Sequence, residues 1–306
     1  MIIDLPDSST KKVIQRLYEV REAGGAVTLG RVLTLVVGLE ESPADEDSAT
    51  EKSIEAANEA SREHPCRIIV VVHHHESTES VLDAQIRVGA DAGASEVVVL
   101  HLHGVLADHS DSVVIPFLLP DTPIVTWWPG DGPAVPSEAP LGRIALRRIT
   151  GPSSTGPRTL VRRRREGYAD GDTDLAWPSI TQWRALLATA IEHPRFDPID
   201  RAAVTGPADD AATELLAGWL ADALDVPVER HTGTERVALH SGARTIALTR
   251  DTSTVAVLSR PGEEDRRVAI AHRAKWDCLA EELRRLDPDE IYQAALDGAA
   301  RIEYPD

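Results

Sequence analysis

Apolar runs alternate with amphipathic segments through the first half of the chain. Residues 11–23 place Val13, Ile14, Leu17 and Val20 at helical spacing before a Gly-Gly pair. A second helix is expected from Ser48 to about residue 62, opened by a capping box with Glu51. The runs that predict strands are continuous or nearly so, at 66–73, 80–89, 96–102 and 123–128. This pattern predicts an α/β domain with a largely buried sheet.

The second half has a different pattern, with more helices and shorter strands. After a helix near residues 179–191, a strand and another helix, five runs follow: VPVERH, ERVALHS, RTIALTR, TVAVLSR and RRVAIAH. Their alternation predicts an antiparallel meander. Two closing helices follow, the second with Asp287 as the expected N-cap and Pro288 at the first helical position. The second half is therefore predicted to be α+β.

The segment GPSSTGPRTLVRRRRE, at residues 151–166, interrupts both periodicities. We therefore expect an α/β N-terminal domain over 1–165 and an α+β C-terminal domain over 166–306. The basic run in this segment, Arg162 to Arg165, is either a solvated surface or a contact for a phosphate or an acidic partner.

Composition narrows the classes of function. Fifty acidic residues against 32 basic ones give a net charge of −18, which disfavours nucleic-acid and membrane-surface binding. No apolar stretch is long enough to span a membrane and the N-terminus lacks the order of a signal peptide, so a cytoplasmic location is expected. The two cysteines, Cys66 and Cys278, give no disulfide framework and are expected to be reduced thiols.

Histidines near two predicted strand ends are the strongest enzymatic candidates. His73 to His75 end one apolar run and His101 and His103 end another, with Asp108, His109 and Asp111 close behind. Strand ends line the ligand crevice of open α/β sheets, and His101 and His103 share a strand face that could chelate a metal. The alternative function is therefore a metal-dependent hydrolase or a sugar-phosphate-binding enzyme using the region from His73 to Asp111. Simple exposure of these histidines is the plainer interpretation.

Other mechanistic signatures are missing or ambiguous. The sequence has no phosphate-binding Gly-Lys loop, Gly-x-Gly-x-x-Gly turn, Gly-x-Ser-x-Gly elbow or His-Glu-x-x-His motif. Asp172 and Asp174 could serve acid/base chemistry or bind Mg²⁺, but turn and capping roles explain a Gly-Asp-Thr-Asp run more simply. The residues alone favour a binding or regulatory protein over an enzyme.

Tryptophan is unusually frequent, with six residues against two phenylalanines. Trp127 and Trp128 are adjacent in a predicted strand, so their side chains should point to opposite faces of the sheet. Both can belong to the core only if both faces are covered. An exposed tryptophan close to Arg143, Arg147 and Arg148 would have the composition of a protein-interface hot spot.

Several long strings, in this order, resemble the bacterial glucose-6-phosphate dehydrogenase assembly protein (OpcA) family. They are GRVLTLVV (30–37), ASREHPCRIIVV (60–71), LDAQIRVGADAGASEVVVL (82–100), DSVVIPFLLPDTPIVTWWPG (111–130), GDTDLAW (171–177), TQWRALLA (181–188) and LAEELRRLDPDEIY (279–292). The excess of arginine over lysine and the abundant alanine are similar to actinobacterial members.

The resemblance implies an activator and assembly factor rather than a catalyst, with no cofactor of its own. Its partner would be glucose-6-phosphate dehydrogenase, whose active oligomer or high-affinity state it would favour. We expect the contact to use a tryptophan-rich surface with arginines at its rim, formed by Trp127, Trp128, Arg147, Arg148, Asp172, Asp174 and Trp177. Cysteine-linked redox control in the cyanobacterial branch would map here only onto Cys66.

Overall fold

The computed structural model describes residues 1–23, 32–40, 46–88, 96–192 and 198–305. The strands are β1 (Ile2–Leu5), β2 (Leu33–Glu40), β3 (Cys66–His74), β4 (Leu82–Arg87), β5 (Val97–His103), β6 (Ile124–Trp128), β7 (Arg147–Thr150), β8 (Asp172–Asp174), β9 (Arg201–Gly206), β10 (Val228–Thr232), β11 (Arg236–Ser241), β12 (Arg244–Thr252), β13 (Val255–Ser259), β14 (Arg266–Ala269) and β15 (Ile302–Glu303).

The helices are α1 (Thr10–Ala23), α2 (Glu46–Ser61), α3 (Val105–Asp108), α4 (Ser110–Val114), α5 (Pro140–Arg143), α6 (Pro157–Glu166), α7 (Ala176–Ser179), α8 (Thr181–Ile191), α9 (Ala211–Leu224), α10 (Lys275–Arg284) and α11 (Glu290–Gly298). Short 3-10 turns lie at Ile115–Phe117, Pro136–Glu138 and Ala299–Arg301.

The chain folds into two compact units, each assembled from two stretches of sequence. The first unit comprises Met1–Gly151 and Lys275–Pro288, and the second comprises Pro152–Ala274 and Asp289–Asp306. This division differs from the expected boundary at residue 165 in two places. Helix α6 groups with the second unit, where it packs on α9 and α11, and α10 groups with the first, where it packs on α2.

The first unit is α/β, as predicted, with strand order β1-β4-β5-β3-β2-β6-β7. Strands β5, β3, β2, β6 and β7 run parallel, and at one edge β4 pairs antiparallel with both β5 and the edge strand β1. Every residue of β3 is buried, which explains the continuous apolar run from 66 onward. After β2 the chain adds β3 on one side of that strand, and later adds β6 on its other side. The strand order therefore reverses between β2 and β6, and a crevice is expected at the carboxyl ends of these two strands.

The second unit contains a mixed sheet in the order β14-β13-β12-β11-β9-β10-β15. Strands β11 to β14 pair antiparallel in succession, and β11 pairs antiparallel with β9. The run VPVERH was expected to begin the meander, but its strand, β10, pairs parallel with β9 and β15. The physical reason is the connection: α9 lies between β9 and β10, and a helical crossover returns the chain parallel to the strand it left.

Candidate functional site

A cavity of about 860 Å³ lies in the first unit, at the carboxyl ends of β2, β3 and β6. Its lining includes Glu40, His73, His75, Asp108, Trp128 and Lys275. In an open α/β sheet this is the position where ligands bind, because the strand order reverses there and leaves a crevice. The histidines highlighted by the sequence therefore stand at the expected edge of the sheet.

Trp128 fills part of this crevice against the backbone of β2. A β-carbon added at Gly38 would lie 2.6 Å from Nε1 of Trp128, so the indole rests directly on the glycine. Leu141 packs on the same position, 3.3 Å from where that β-carbon would be. Gly38 is required for this close approach, since any other side chain would displace the tryptophan.

His73 and His75 are held by different neighbours in the cavity. Nδ1 of the buried His73 ring donates a hydrogen bond to the carbonyl oxygen of Leu39 at 3.0 Å. Nε2 of His75 lies 3.4 Å from a carboxylate oxygen of Glu40, and its Nδ1 lies 3.2 Å from one of Asp108. Burial lowers the pKa of His73 below its ordinary value, and the nearby Glu40 carboxylate opposes this effect.

We expect the free energy of unfolding to fall as the pH drops below the ordinary histidine pKa of about 6.5, partly because of His73. The unfolded chain protonates this ring more readily than the folded protein, so acid favours unfolding. A His73→Gln variant keeps a donor for Leu39 but cannot gain the charge. Urea denaturation of both proteins between about pH 7.5 and pH 5 should show a shallower loss of stability in the variant. Equal slopes would contradict the assignment.

His74, His101 and His103 contact one another or a carboxylate. Nε2 of His74 is 3.1 Å from Nδ1 of His101, while the rings of His74 and His103 stack at 4.2 Å. Nε2 of His103 lies 3.1 Å from a carboxylate oxygen of Asp83. Within the described ranges no group of three or more His, Cys, Asp or Glu side chains has the geometry of a metal site. His101 and His103 thus share a strand face without forming such a group.

The residues expected to form an exposed tryptophan-rich contact surface are all buried. Their exposed fractions lie between 0% and 7%, for Trp127, Trp128, Arg147, Arg148, Asp172, Asp174 and Trp177. None of these side chains is exposed in the folded chain, and their role in partner binding stays a prediction. Both faces of β6 are covered, so adjacent tryptophans can both be core residues, as the alternation of a strand allows.

The two buried arginines of β7 are engaged within the first unit. Arg147 forms an ion pair with the buried Glu282 of α10. It also donates a hydrogen bond of 2.7 Å to the carbonyl oxygen of Asp287. Arg148 donates to the carbonyl oxygen of Ala145 at 3.1 Å. These arginines thus have structural partners inside the chain.

The two aspartates of β8 have local structural roles in the second unit. Oδ2 of Asp172 accepts from the backbone N–H of Ala169, and Oδ1 of Asp174 accepts from that of Ala176, both at 3.0 Å. The Arg164 guanidinium lies 3.7 Å from Oδ2 of Asp174. These contacts are those of turns and caps, the simpler of the two interpretations that the sequence allowed.

A hydrogen bond connects Trp177 and Asp289, which lie in two of the sequence segments that resemble the family, 171–177 and 279–292. Nε1 of Trp177 donates to Oδ2 of Asp289 at 2.9 Å. The other carboxylate oxygen accepts from the backbone N–H groups of Ile291 and Tyr292, so Asp289 is the N-cap of α11. The expected cap at Asp287 is wrong, because the helix begins at Glu290, after Pro288. No local pattern around either residue predicted the tryptophan contact.

One exposed tryptophan was missed by sequence reasoning. Trp276, in the first turn of α10, has 42% of its surface exposed and is the most exposed of the six tryptophans. Its position three residues before the buried Leu279 is typical of a core residue, so periodicity offered no signal.

Both cysteine thiols, Cys66 and Cys278, are buried in the first unit. Burial limits the access of oxidants to both thiols. Redox activity of Cys66 stays a prediction. Across the described ranges, no helix has the length and apolar character needed to cross a bilayer.

Comparisons with known structures give only distant likenesses. A glucose-6-phosphate 1-dehydrogenase from Mycobacterium avium is 13% identical, with 89% of this chain and 93% of that chain covered and a TM-score of 0.43. An oxidoreductase from Sinorhizobium meliloti is 7% identical, covering 87% and 95% with a TM-score of 0.44. A levoglucosan dehydrogenase is 10% identical, covering 87% and 90% with a TM-score of 0.41. Likenesses this distant carry no argument.

Family models match most of the chain, although no curated protein does. Residues 57–166 match the N-terminal domain of the glucose-6-phosphate dehydrogenase subunit. Residues 170–296 match the C-terminal domain of the same glucose-6-phosphate dehydrogenase subunit. With both domains present in order, the chain belongs to the OpcA family of glucose-6-phosphate dehydrogenase assembly proteins.

Proposed function

We propose that this protein is a non-catalytic partner that binds glucose-6-phosphate dehydrogenase and favours its active oligomer or high-affinity state. The observation that carries the proposal is the match to both domains of the assembly family, in order, over residues 57–166 and 170–296. The proposed role would support the oxidative pentose phosphate pathway and NADPH supply in the cytoplasm.

The crevice of the first unit supports a role other than dinucleotide chemistry. Dinucleotide-binding sheets use a Gly-x-Gly-x-x-Gly turn after the first parallel strand, so that the pyrophosphate can approach the backbone. Here β2 has no such motif, and the Trp128 indole packs against Gly38 at the reversal of strand order. The proposal therefore requires no cofactor in this chain.

Activation by a binding partner has a definite energetic requirement. The partner must bind the active state more tightly than the inactive one, since equal affinity for both shifts nothing. A coupling free energy of ~1 to 3 kcal/mol would change an affinity of the dehydrogenase ~5- to 150-fold. An effect of this size is easily measured.

The test is steady-state kinetics of the dehydrogenase from the same organism, titrated with this protein, with mass measurement by size-exclusion chromatography and light scattering. We expect a saturable fall in KM or rise in kcat, together with co-elution. Absence of both a kinetic effect and a complex would overturn the proposal. Co-elution without a kinetic effect would support binding and refute activation.

We place part of the contact at Trp276, because the tryptophans that the sequence suggested for it are buried. Exposed tryptophans are enriched among residues that dominate interface energetics, where truncation commonly costs ~2 kcal/mol or more. We therefore expect Trp276→Ala to weaken dehydrogenase binding about tenfold or more, measured by titration calorimetry. Because the side chain is 42% exposed, the stability of the protein should change little.

Tyr18→Ala is the matched control for this prediction, since Tyr18 is an exposed aromatic residue elsewhere in the first unit. Its replacement should leave the affinity within about twofold, because a residue outside an interface contributes little to binding. Equal losses in both variants, or no loss in Trp276→Ala, would place the contact elsewhere.

A further inference from the structure

Helix α6 in the second unit presents three arginines on one face. Arg158, Arg162 and Arg165 are spaced four and three residues apart, which places them in neighbouring positions on the helix surface. Leu160, Val161 and Arg164 are buried. The arginine face lines a pocket of about 330 Å³.

The positive charges of this face are not neutralised by carboxylates. Arg162 and Arg165 form no ion pair with any residue in the described part of the chain. The Arg158 guanidinium lies over the ring of Tyr304, 4.0 Å from its centroid, in a cation–π contact. In a chain with a net charge of −18, three such arginines around one concavity require an explanation.

The single carboxylate among the described residues lining the pocket is already engaged. Glu214 is buried, and its Oε1 lies 3.0 Å from Nε of the buried Arg230. Its Oε2 accepts a 2.7 Å hydrogen bond from the hydroxyl of Tyr304. Burial and this carboxylate raise the pKa of Tyr304, so the hydroxyl keeps its proton and remains a donor. Glu214 therefore offsets the charge of Arg230 rather than that of the arginine face.

The other walls of the pocket are apolar. Val161, Leu296 and Ile302 are buried side chains that line it, beside Ala299 and Ala300. Guanidinium groups bind phosphate oxygens in a bidentate manner, and an apolar wall suits the carbon skeleton of a small ligand. Ligand pockets usually hold ~300 to 1,000 Å³, so this one matches a small molecule better than a dinucleotide.

We propose that the arginine pocket of the second unit binds the phosphate group of a small phosphate monoester. Arg162 and Arg165 would bind the phosphate oxygens, with Arg158 held in place by Tyr304. The organic part would lie against Val161, Leu296 and Ile302. The proposal does not depend on the dehydrogenase partnership, since it concerns residues of one unit only.

The test uses the full-length protein and two probes, inorganic phosphate and glucose 6-phosphate, in titration calorimetry at low ionic strength. We expect both to bind, and an Arg162→Gln/Arg165→Gln double variant to weaken binding about tenfold or more, because charge-assisted hydrogen bonds are lost. The replaced side chains are exposed or half-buried, so thermal unfolding without probe should match the wild type. This match confirms that a loss of binding is not a loss of folding.

Arg163→Gln is the matched control. Arg163 lies in the same helix, is exposed, contacts Thr155 and does not line the pocket. Its replacement should change phosphate affinity less than about twofold, because only nonspecific attraction is altered.

Three outcomes would overturn the proposal. The first is the absence of binding by the wild type at millimolar probe. The second is an equal loss in Arg163→Gln and in the double variant, which would indicate nonspecific attraction. The third is a double variant with unchanged phosphate binding but weakened dehydrogenase binding, which would assign the pocket to an acidic segment of a protein partner.

Discussion

Replacing Arg147 by alanine should lower the free energy of unfolding by roughly 3 to 5 kcal/mol, because it breaks a buried ion pair from one side. Arg147 is fully buried and pairs with Glu282, which is itself buried in α10. Without the guanidinium, the buried Glu282 carboxylate would lose this ion pair, and the carbonyl of Asp287 would lose its donor. Urea denaturation followed by circular dichroism measures the loss.

Arg284→Ala provides the control for this prediction. Arg284 lies in α10, the helix that carries Glu282, and pairs with Glu63 at 2.9 Å, but both side chains are exposed. An exposed pair contributes ~0 to 1 kcal/mol, so this variant should unfold near the wild-type midpoint. A double Arg147→Leu/Glu282→Leu variant should recover much of the loss, because it removes both charges of the buried pair. Equal midpoints for the two single variants would refute the buried-pair interpretation.

Trp177→Ala should destabilise the protein by about 3 to 5 kcal/mol, the usual cost of removing a buried tryptophan. Trp177 is 1% exposed and its ring packs against that of Tyr292. The Arg184 guanidinium lies over the indole, with its central carbon 3.6 Å from the centroid of the Trp177 ring. Removal of the indole creates a cavity in the second unit and deprives Asp289 of a donor. Thermal and urea denaturation should both show the loss.

Trp177→Phe separates the two contributions, since it keeps most of the volume but removes the indole N–H. We expect it to cost about 1 to 3 kcal/mol, less than the alanine variant. A Trp177→Ala protein with wild-type stability but no dehydrogenase binding would contradict a core role. That result would instead support a partner contact at this residue.

The sequence predicted several elements of the fold correctly for physical reasons. The apolar run from residue 66 predicted a strand covered on both faces, and β3 is buried throughout. The direction of β10 was not predictable from its own residues. Alternation identifies a strand but does not fix its partner, and here the α9 crossover made the pairing parallel.

Local sequence patterns were an even poorer guide to which site residues are buried and which are exposed. A tryptophan beside arginines has the same composition in a core as in an interface, and only the covering elements distinguish the two. Arg147 belongs to the core because α10 brings Glu282 to it from far along the chain. Trp276 is exposed although its helical position favours burial. Long-range packing, which local patterns do not encode, decided both cases.

The first unit is assembled from two separate stretches of sequence, and this affects the order in which the chain can fold during synthesis. The ribosome adds ~5 to 20 residues per second, and N-terminal domains usually fold while the rest is still being synthesised. Here α10 and the Glu282 carboxylate emerge only after Pro152–Ala274 has been translated. For roughly ten seconds, Arg147 therefore has no partner and α2 lacks the helix that covers it. Completion of the first unit must therefore follow the synthesis of Pro152–Ala274, an interval in which chaperones have time to bind the exposed surface.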